Sequence, residues 1–234
     1  METKLITLAS PKGGVGKSTH LVCLAAGLLD SGKTVRVIDC DEQGNASQWA
    51  DDVADIHENL DSVFIDTKKM QFIEAQDAIW EYANGPEYVL VDTPGSAEGG
   101  TSAALYLADL VLVPFHLEEW DIGGMERMHA TYTKLFEQLN EEVPDNLVAL
   151  INHESSFLSN FDREKIKNLS DTYFVRWGLL RTRTIGKWIR TRRTVSQLRD
   201  GVKEAFESEQ MNKSRLERVE SECKKLVKTV TEFL

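Results

Sequence analysis

Short apolar or β-branched runs alternate along this chain with longer stretches of helical period. Leu5–Leu8, Thr34–Ile38, Tyr88–Val91, Leu110–Val113 and Leu147–Ile151 are each bounded by turn or charged residues, which predicts strands. Lys17–Asp30, Lys69–Tyr82, Thr101–Ala108 and Ile122–Leu139 are the helical stretches between them. The strand candidates are continuous hydrophobic runs, so both faces of their sheet are expected to be covered. Alternating β and α segments then predict an α/β fold: a doubly wound, mostly parallel sheet with helices on both faces. Ligands of such a sheet sit at the carboxyl ends of its strands. The C-terminal third is more helical, with Lys187–Arg199 and Asn212–Phe233 as expected helices and Asp200-Gly201 as the stop between them. No linker-like stretch divides the chain, so residues 1–234 are expected to form a single domain with a helical C-terminal region.

Composition narrows the class only a little. The chain is 41% hydrophobic and 28% charged, ordinary values for a soluble globular protein. The apolar stretch Leu21–Leu29 is too short to span a bilayer, and with the first apolar run starting at Leu5 no leader is expected. The three cysteines, Cys23, Cys40 and Cys223, are far apart and include no CxxC pair. They are expected to be reduced thiols of a cytosolic protein, without a cysteine-held metal. The histidines have no ligand spacing, and His20 is expected to be structural.

The net charge of −11 argues against nucleic acid, but its distribution does not. From Asp41 to Glu87 there are twelve acids and two bases, whereas Arg176 to Arg199 holds eight bases and no acid. A local field decides phosphate contacts, so the segment outweighs the sum.

The strongest chemical signal is Lys12-Gly13-Gly14-Val15-Gly16-Lys17-Ser18-Thr19, between the first strand and the first helix. Glycines let successive N–H groups curl inward onto phosphate oxygens, and the helix N-terminus adds partial positive charge. In this P-loop order Lys17 neutralises the β- and γ-phosphates and Ser18 binds Mg²⁺. The P-loop pattern has a glycine where this chain has Pro11, and a second lysine, Lys12, follows. Asp39 and Asp41 leave the second strand at the sheet's carboxyl edge, where a carboxylate can hold magnesium or orient a water. Tyr88–Val91 ends in Asp92-Thr93-Pro94-Gly95, the arrangement of a strand-end aspartate facing hydrated magnesium.

KGGVGKST resembles the deviant Walker A loop of the ParA/MinD group of ATPases. Asp39-Cys40-Asp41-Glu42-Gln43-Gly44-Asn45 resembles that group's DxDPQGN motif, with Glu42 where proline is usual. Val111-Leu-Val-Pro114 followed by Asp121 resembles the group as well, and the short N-terminus is similar to that of the small ParF-like partition ATPases. The resemblance implies a P-loop NTPase fold, ATP and Mg²⁺ as ligands, and ATP-dependent homodimerisation in which Lys12 reaches the partner's nucleotide. It implies catalytic roles for Lys12, Lys17 and Asp41, nucleotide contacts from Gly13 to Thr19, and an adenine contact from Asn152. Ser18, Asp39 and Asp92 are the expected metal-side residues. Non-specific DNA binding in this C-terminal region would fall to Arg181, Arg183, Lys187, Arg190, Arg192 and Arg193, with a centromere-binding adaptor as second partner and a cytoplasmic, nucleoid-associated location. The alternatives are a MinD-like or other cargo-positioning ATPase on membrane or protein, a metabolic P-loop ligase, or a nucleotide-dependent binding module without hydrolysis. The stripe Leu216, Val219, Cys223, Leu226, Val230 and Phe233 could be a membrane-targeting helix, but it runs the helix's whole length, which favours docking on the domain.

Overall fold

The computed structural model describes residues 2–55, 57–95, 99–153, 158–180, 183–189, 194 and 213–234. Its strands are β1 (Lys4–Leu8), β2 (Val35–Asp39), β3 (Leu60–Phe64), β4 (Tyr88–Asp92), β5 (Leu110–His116), β6 (Leu147–His153) and β7 (Val175–Leu180). They form a seven-stranded sheet in the order β3-β2-β4-β1-β5-β6-β7, with every pairing parallel. The helices are α1 (Lys17–Asp30), α2 (Asn45–Ala54), α3 (Phe72–Tyr82), α4 (Gly99–Leu107), α5 (Glu119–Leu139), α6 (Asn160–Ser170), α7 (Arg183–Ile189) and α8 (Lys213–Thr231).

Both sheet faces are covered, as the unbroken apolar strands require. Ile6 and Leu8 of β1 join the core with α1, α2, α7 and α8. Leu5 joins the opposite core with α3, α4, α5 and α6. Thr7, on that second face, donates its hydroxyl to the Ala104 carbonyl at 2.7 Å, so the buried oxygen is satisfied. The chain builds outward from β1 in both directions, which makes the carboxyl end of β1 the switch point where such sheets bind ligands. Register brings the acids there too: Asp39 of β2 lies opposite Asp92 of β4, and Leu8 of β1 lies opposite Asp92 on the other side.

All five expected strands and four expected helices exist, with ends shifted by a few residues. The C-terminal region differs more. Arg176 and Trp177 belong to the edge strand β7. A helix spans Arg183–Ile189 where one was expected at Lys187–Arg199; residues 190–193 and 195–199 and the Asp200-Gly201 stop lie outside the described residues. Four further elements, α2, β3, α6 and β7, add to those expected.

The terminal stripe is docked. Leu216, Val219, Cys223, Leu226 and Val230 are all buried in the core with α1. The helices meet at Gly27, where a Cβ would come within 2.7 Å of Val227 and 3.2 Å of the Cys223 carbonyl. That stripe is therefore not available to a membrane, and no helix among the described residues is long and apolar enough to cross one.

Candidate nucleotide-binding site

The loop after β1 is shaped by its glycines. Gly14 and Gly16 have φ of +79° and +98°, a region that glycine enters without a Cβ clash. Gly16 is also the N-cap of α1, with no side-chain cap and no acid in the helix's first turn. The first amides of a 14-residue helix thus face outward without an internal acceptor, the arrangement that anions occupy.

A cleft of ≈ 590 Å³ opens over these amides, lined on one side by Gly13, Lys17, Ser18 and Thr19 and on the other by Asp41, Gln43 and Trp49. Lys17 is buried to 7% exposure in its wall. Ser18 donates its hydroxyl to Asp92 Oδ2 at 2.5 Å. The other oxygen, Asp92 Oδ1, is buried and has no hydrogen-bond partner. Burial, aided by the Asp39 and Asp41 charges and opposed by Ser18 and Lys17, pushes the Asp92 carboxyl up to about 7. A buried carboxylate with one orphaned oxygen beside a serine hydroxyl fits hydrated Mg²⁺, which takes few protein ligands and completes its shell with water and phosphate. No larger cluster of metal-ligating side chains exists among the described residues.

Asp39 is engaged by backbone amides on both oxygens. Its Oδ1 accepts the Asp41 N–H at 3.0 Å, and its Oδ2 accepts those of Ala46 and Ser47 at 3.0 and 2.8 Å. Fully buried, it anchors the start of α2 to the end of β2 and sits behind the cleft. Burial raises its pKa while these three amides oppose the rise. These bonds make the carboxylate a positioning group, which fixes the turn that carries Asp41. Asp41 itself is half-buried on the cleft wall, its Oδ1 accepting the Gln43 N–H at 3.0 Å.

A second, smaller cleft of ≈ 190 Å³ adjoins the loop. It is lined by Val15, His20, His116, Asn152, Leu179 and Ile185 among others. Asn152 donates its amide to the Val15 carbonyl at 2.7 Å, while its Oδ1 is buried without a partner. Its nearest assignable role is thus to hold the loop, with one free acceptor left at the cleft.

Lys12 stands at the rim of the larger cleft, next to its lining residue Gly13. Its Nζ contacts the carboxylate of Asp121 in the first turn of α5, with the lysine side chain 43% exposed and the aspartate 3%. The loop after β4 approaches the same rim, where a Cβ on Gly95 would lie 4.0 Å from the Gly13 nitrogen. Thr93 donates its hydroxyl back to the Leu8 carbonyl at 2.9 Å, tying that loop to β1.

Lys17, Ser18, Thr19 and Asp41 therefore line one cleft, with Asp92 bonded behind Ser18, Asn152 lines its neighbour, and Lys12 lies at the rim. Of the basic segment, Lys187 lies half-buried on α7, and Arg183 contributes its backbone to the same helix. Arg181, Arg190, Arg192 and Arg193 lie outside the described residues. Trp188 turns to the core as its helical phase demands, at 0% exposure, and its ring lies 6.5 Å from that of Trp49 on the cleft wall. This pairing of α2 with α7 had no signal in the sequence.

A family model described as an AAA domain matches residues 3–83. Protein virC1 of Rhizobium rhizogenes is 30% identical over 141 residues, 59% of this chain and 59% of the relative. ParA of Rhizobium radiobacter is 32% identical over 117 residues, 50% of each. The chain spans about half the length of the curated relatives it matches. A plasmid partition protein from Borrelia burgdorferi B31, solved with AMPPNP, superposes with a TM-score of 0.66 at 18% identity over 100% of both chains, a likeness of fold. Sequence relatives, fold and the glycine-shaped loop with its second lysine agree in making this chain similar to the ParA/MinD-type P-loop ATPases.

Proposed function

We propose that this chain is an ATP-hydrolysing partition protein that dimerises on binding MgATP, holds DNA without regard to sequence, and moves or positions it with a centromere-binding adaptor. The observation that carries the reading is Lys12: a second lysine at the phosphate loop, on the exposed rim of the cleft, held by one side chain of its own subunit. A lysine so exposed is poorly used if only its own nucleotide matters. Released from Asp121, it can reach a nucleotide across a dimer interface.

Within one subunit, the α1 amides and Lys17 take the phosphates, and Ser18 with Asp92 holds the ion. Magnesium, when bound, draws off phosphate charge and favours the anionic form of Asp92. Asp41, on the facing wall, is the residue that can hold and orient a water toward the terminal phosphate. Asp39 keeps it there by fixing the turn. The basic segment supplies the DNA contact through Arg181, Arg183, Lys187, Arg190, Arg192 and Arg193. A membrane cargo is disfavoured because the apolar stripe of α8 is taken up by α1.

The test is sedimentation of the full chain with Mg²⁺ and a non-hydrolysable ATP analogue, beside a Lys12→Ala variant. The reading expects a dimer for the parent only, with analogue binding retained in the variant. A monomeric parent, or a variant that dimerises equally well, removes it.

A further inference from the structure

His20 is one turn into α1, fully buried, and belongs to none of the roles above. Its Nδ1 lies 2.8 Å from the Gly16 carbonyl, and the Leu179 N–H donates to its Nε2 at 3.2 Å. A neutral imidazole whose Nε2 accepts must carry its proton on Nδ1, so Nδ1–H donates to Gly16. The two bonds join different parts of the molecule. Gly16 is the end of the phosphate loop, and Leu179 lines the smaller cleft beside it.

Three further observations bear on this bridge. Asn152 holds the preceding carbonyl, Val15, from the same side at 2.7 Å. Two consecutive loop carbonyls are thus held by side chains that line the smaller cleft. The β6–β7 ladder shifts register between Ile151 and His153, beside the stretch of β7 where His20 accepts the Leu179 amide. Gly178 lets that strand come close: a Cβ there would lie 2.9 Å from both His20 Nε2 and Asn152 Oδ1. The smaller cleft is continuous with the phosphate loop and contains Asn152 Oδ1, a buried acceptor without a partner. That is the chemistry to receive an exocyclic amino group of a purine base.

We infer that His20 is a positioning residue that fixes the base-binding cleft against the phosphate loop, so that base selectivity, and not phosphate binding alone, depends on it. The inference rests on the nucleotide-binding reading above. A buried histidine that only stabilises the core would affect every ligand alike.

The two nitrogens can be separated by substitution. The amide of His20→Asn can take the place of Nδ1, so it keeps a donor for Gly16 and loses the Leu179 acceptor. The amide of His20→Gln takes the place of Nε2 and does the reverse. Titration calorimetry of the full chain with Mg²⁺ and ATP, GTP or inorganic tripolyphosphate reads both effects, and ratios of affinity do not depend on the fraction folded. The parent should prefer ATP over GTP. In His20→Asn, ATP affinity should fall about 10-fold and the ATP-to-GTP preference should shrink to about 2-fold or less, with tripolyphosphate changed by less than about 2-fold. In His20→Gln, tripolyphosphate affinity should also fall about 10-fold, the size of one lost hydrogen bond. Equal loss for all three ligands in both variants, or no loss in either, overturns the inference while leaving nucleotide binding intact. A parent that binds no ATP overturns both.

Discussion

Lys12 and Asp121 meet across 109 residues of chain, the lysine half-exposed on the rim and the carboxylate buried beneath it. For Lys12 to serve a second subunit this pair must open, leaving a charged carboxylate buried without its partner. Asp121→Asn removes that penalty while keeping the shape. Its MgATP dimer should be tighter by about 5-fold or more, equivalent to about 1 kcal/mol. Sedimentation equilibrium measures this directly. A weaker dimer would mean that Asp121 acts in the dimer and not against it.

Asp92 gives a prediction about stability in which the sign matters. Its carboxyl is held near 7 in the folded chain and near 4 when unfolded, so folding favours the protonated form. Without magnesium, stability therefore falls as pH rises from about 4 through 7 and levels off above. The whole loss is up to about 4 kcal/mol at 1.36 kcal/mol per unit. Asp92→Asn should be more stable than the parent at pH 8 in urea melts without metal, and should lose ATP turnover by at least about 100-fold. No gain in midpoint would show that the buried charge is better solvated than its surroundings imply.

The pH slope from His20 has the opposite direction. Its ring is held neutral to about 4 when folded, against an ordinary value of 6.5. Stability is full above pH 6.5 and is lost as pH falls toward 4, by about 3 kcal/mol. The Asp92 and His20 slopes oppose each other in the parent, so the test belongs in the Asp92→Asn background. There, stability should drop between pH 6.5 and 4.5, and adding His20→Asn should flatten the drop.

Gly27→Ala sets a helix gain against a packing loss. Alanine raises helix propensity by about 1 kcal/mol over glycine. The new methyl would meet Val227 at 2.7 Å and the Cys223 carbonyl at 3.2 Å, and overpacking of this kind costs about 1–3 kcal/mol. Packing should win, giving a net loss of up to about 2 kcal/mol in a thermal or urea melt. A stabilised variant would indicate that α8 shifts freely on α1.

For the basic segment, DNA affinity should depend on salt rather than sequence. If about four phosphates are neutralised, the log–log slope should be roughly −3 to −4. Anisotropy with two unrelated duplexes, for the parent and an Arg190→Glu, Arg193→Glu variant, measures it. Unchanged binding by the variant would move the contact elsewhere.

The site was legible in the sequence wherever chemistry is local. Gly16, Lys17 and Ser18 lie together in the chain, and Asp92 follows its strand directly, so spacing alone located them. For Asp39, sequence position fixes only where the strand ends. Which way the carboxylate turns is decided by the α2 amides. Helix α2 carried its signal in Ala46, Trp49, Ala50 and Val53, all buried at helical spacing, but the acids among them hid it. Helix α6 buries only Leu169, so periodicity had little to report, and its start is marked instead by the Ser159–Asp162 capping box. Contacts such as Lys12 with Asp121, His20 with Leu179 and Trp49 with Trp188 join distant segments, and a single sequence holds no record of them.

The close seat of α8 on α1 at Gly27 also bears on how the protein comes to be made. Synthesis runs from the N-terminus, so α1 leaves the ribosome long before the residues that cover its outer face. Through most of translation Leu21, Leu24 and Leu28 of the phosphate-loop helix lack their final partner, and the unfinished chain presents the kind of apolar surface that chaperones hold. Competence to take up nucleotide should then arrive late and all at once, when residues 213–231 emerge and close over the helix.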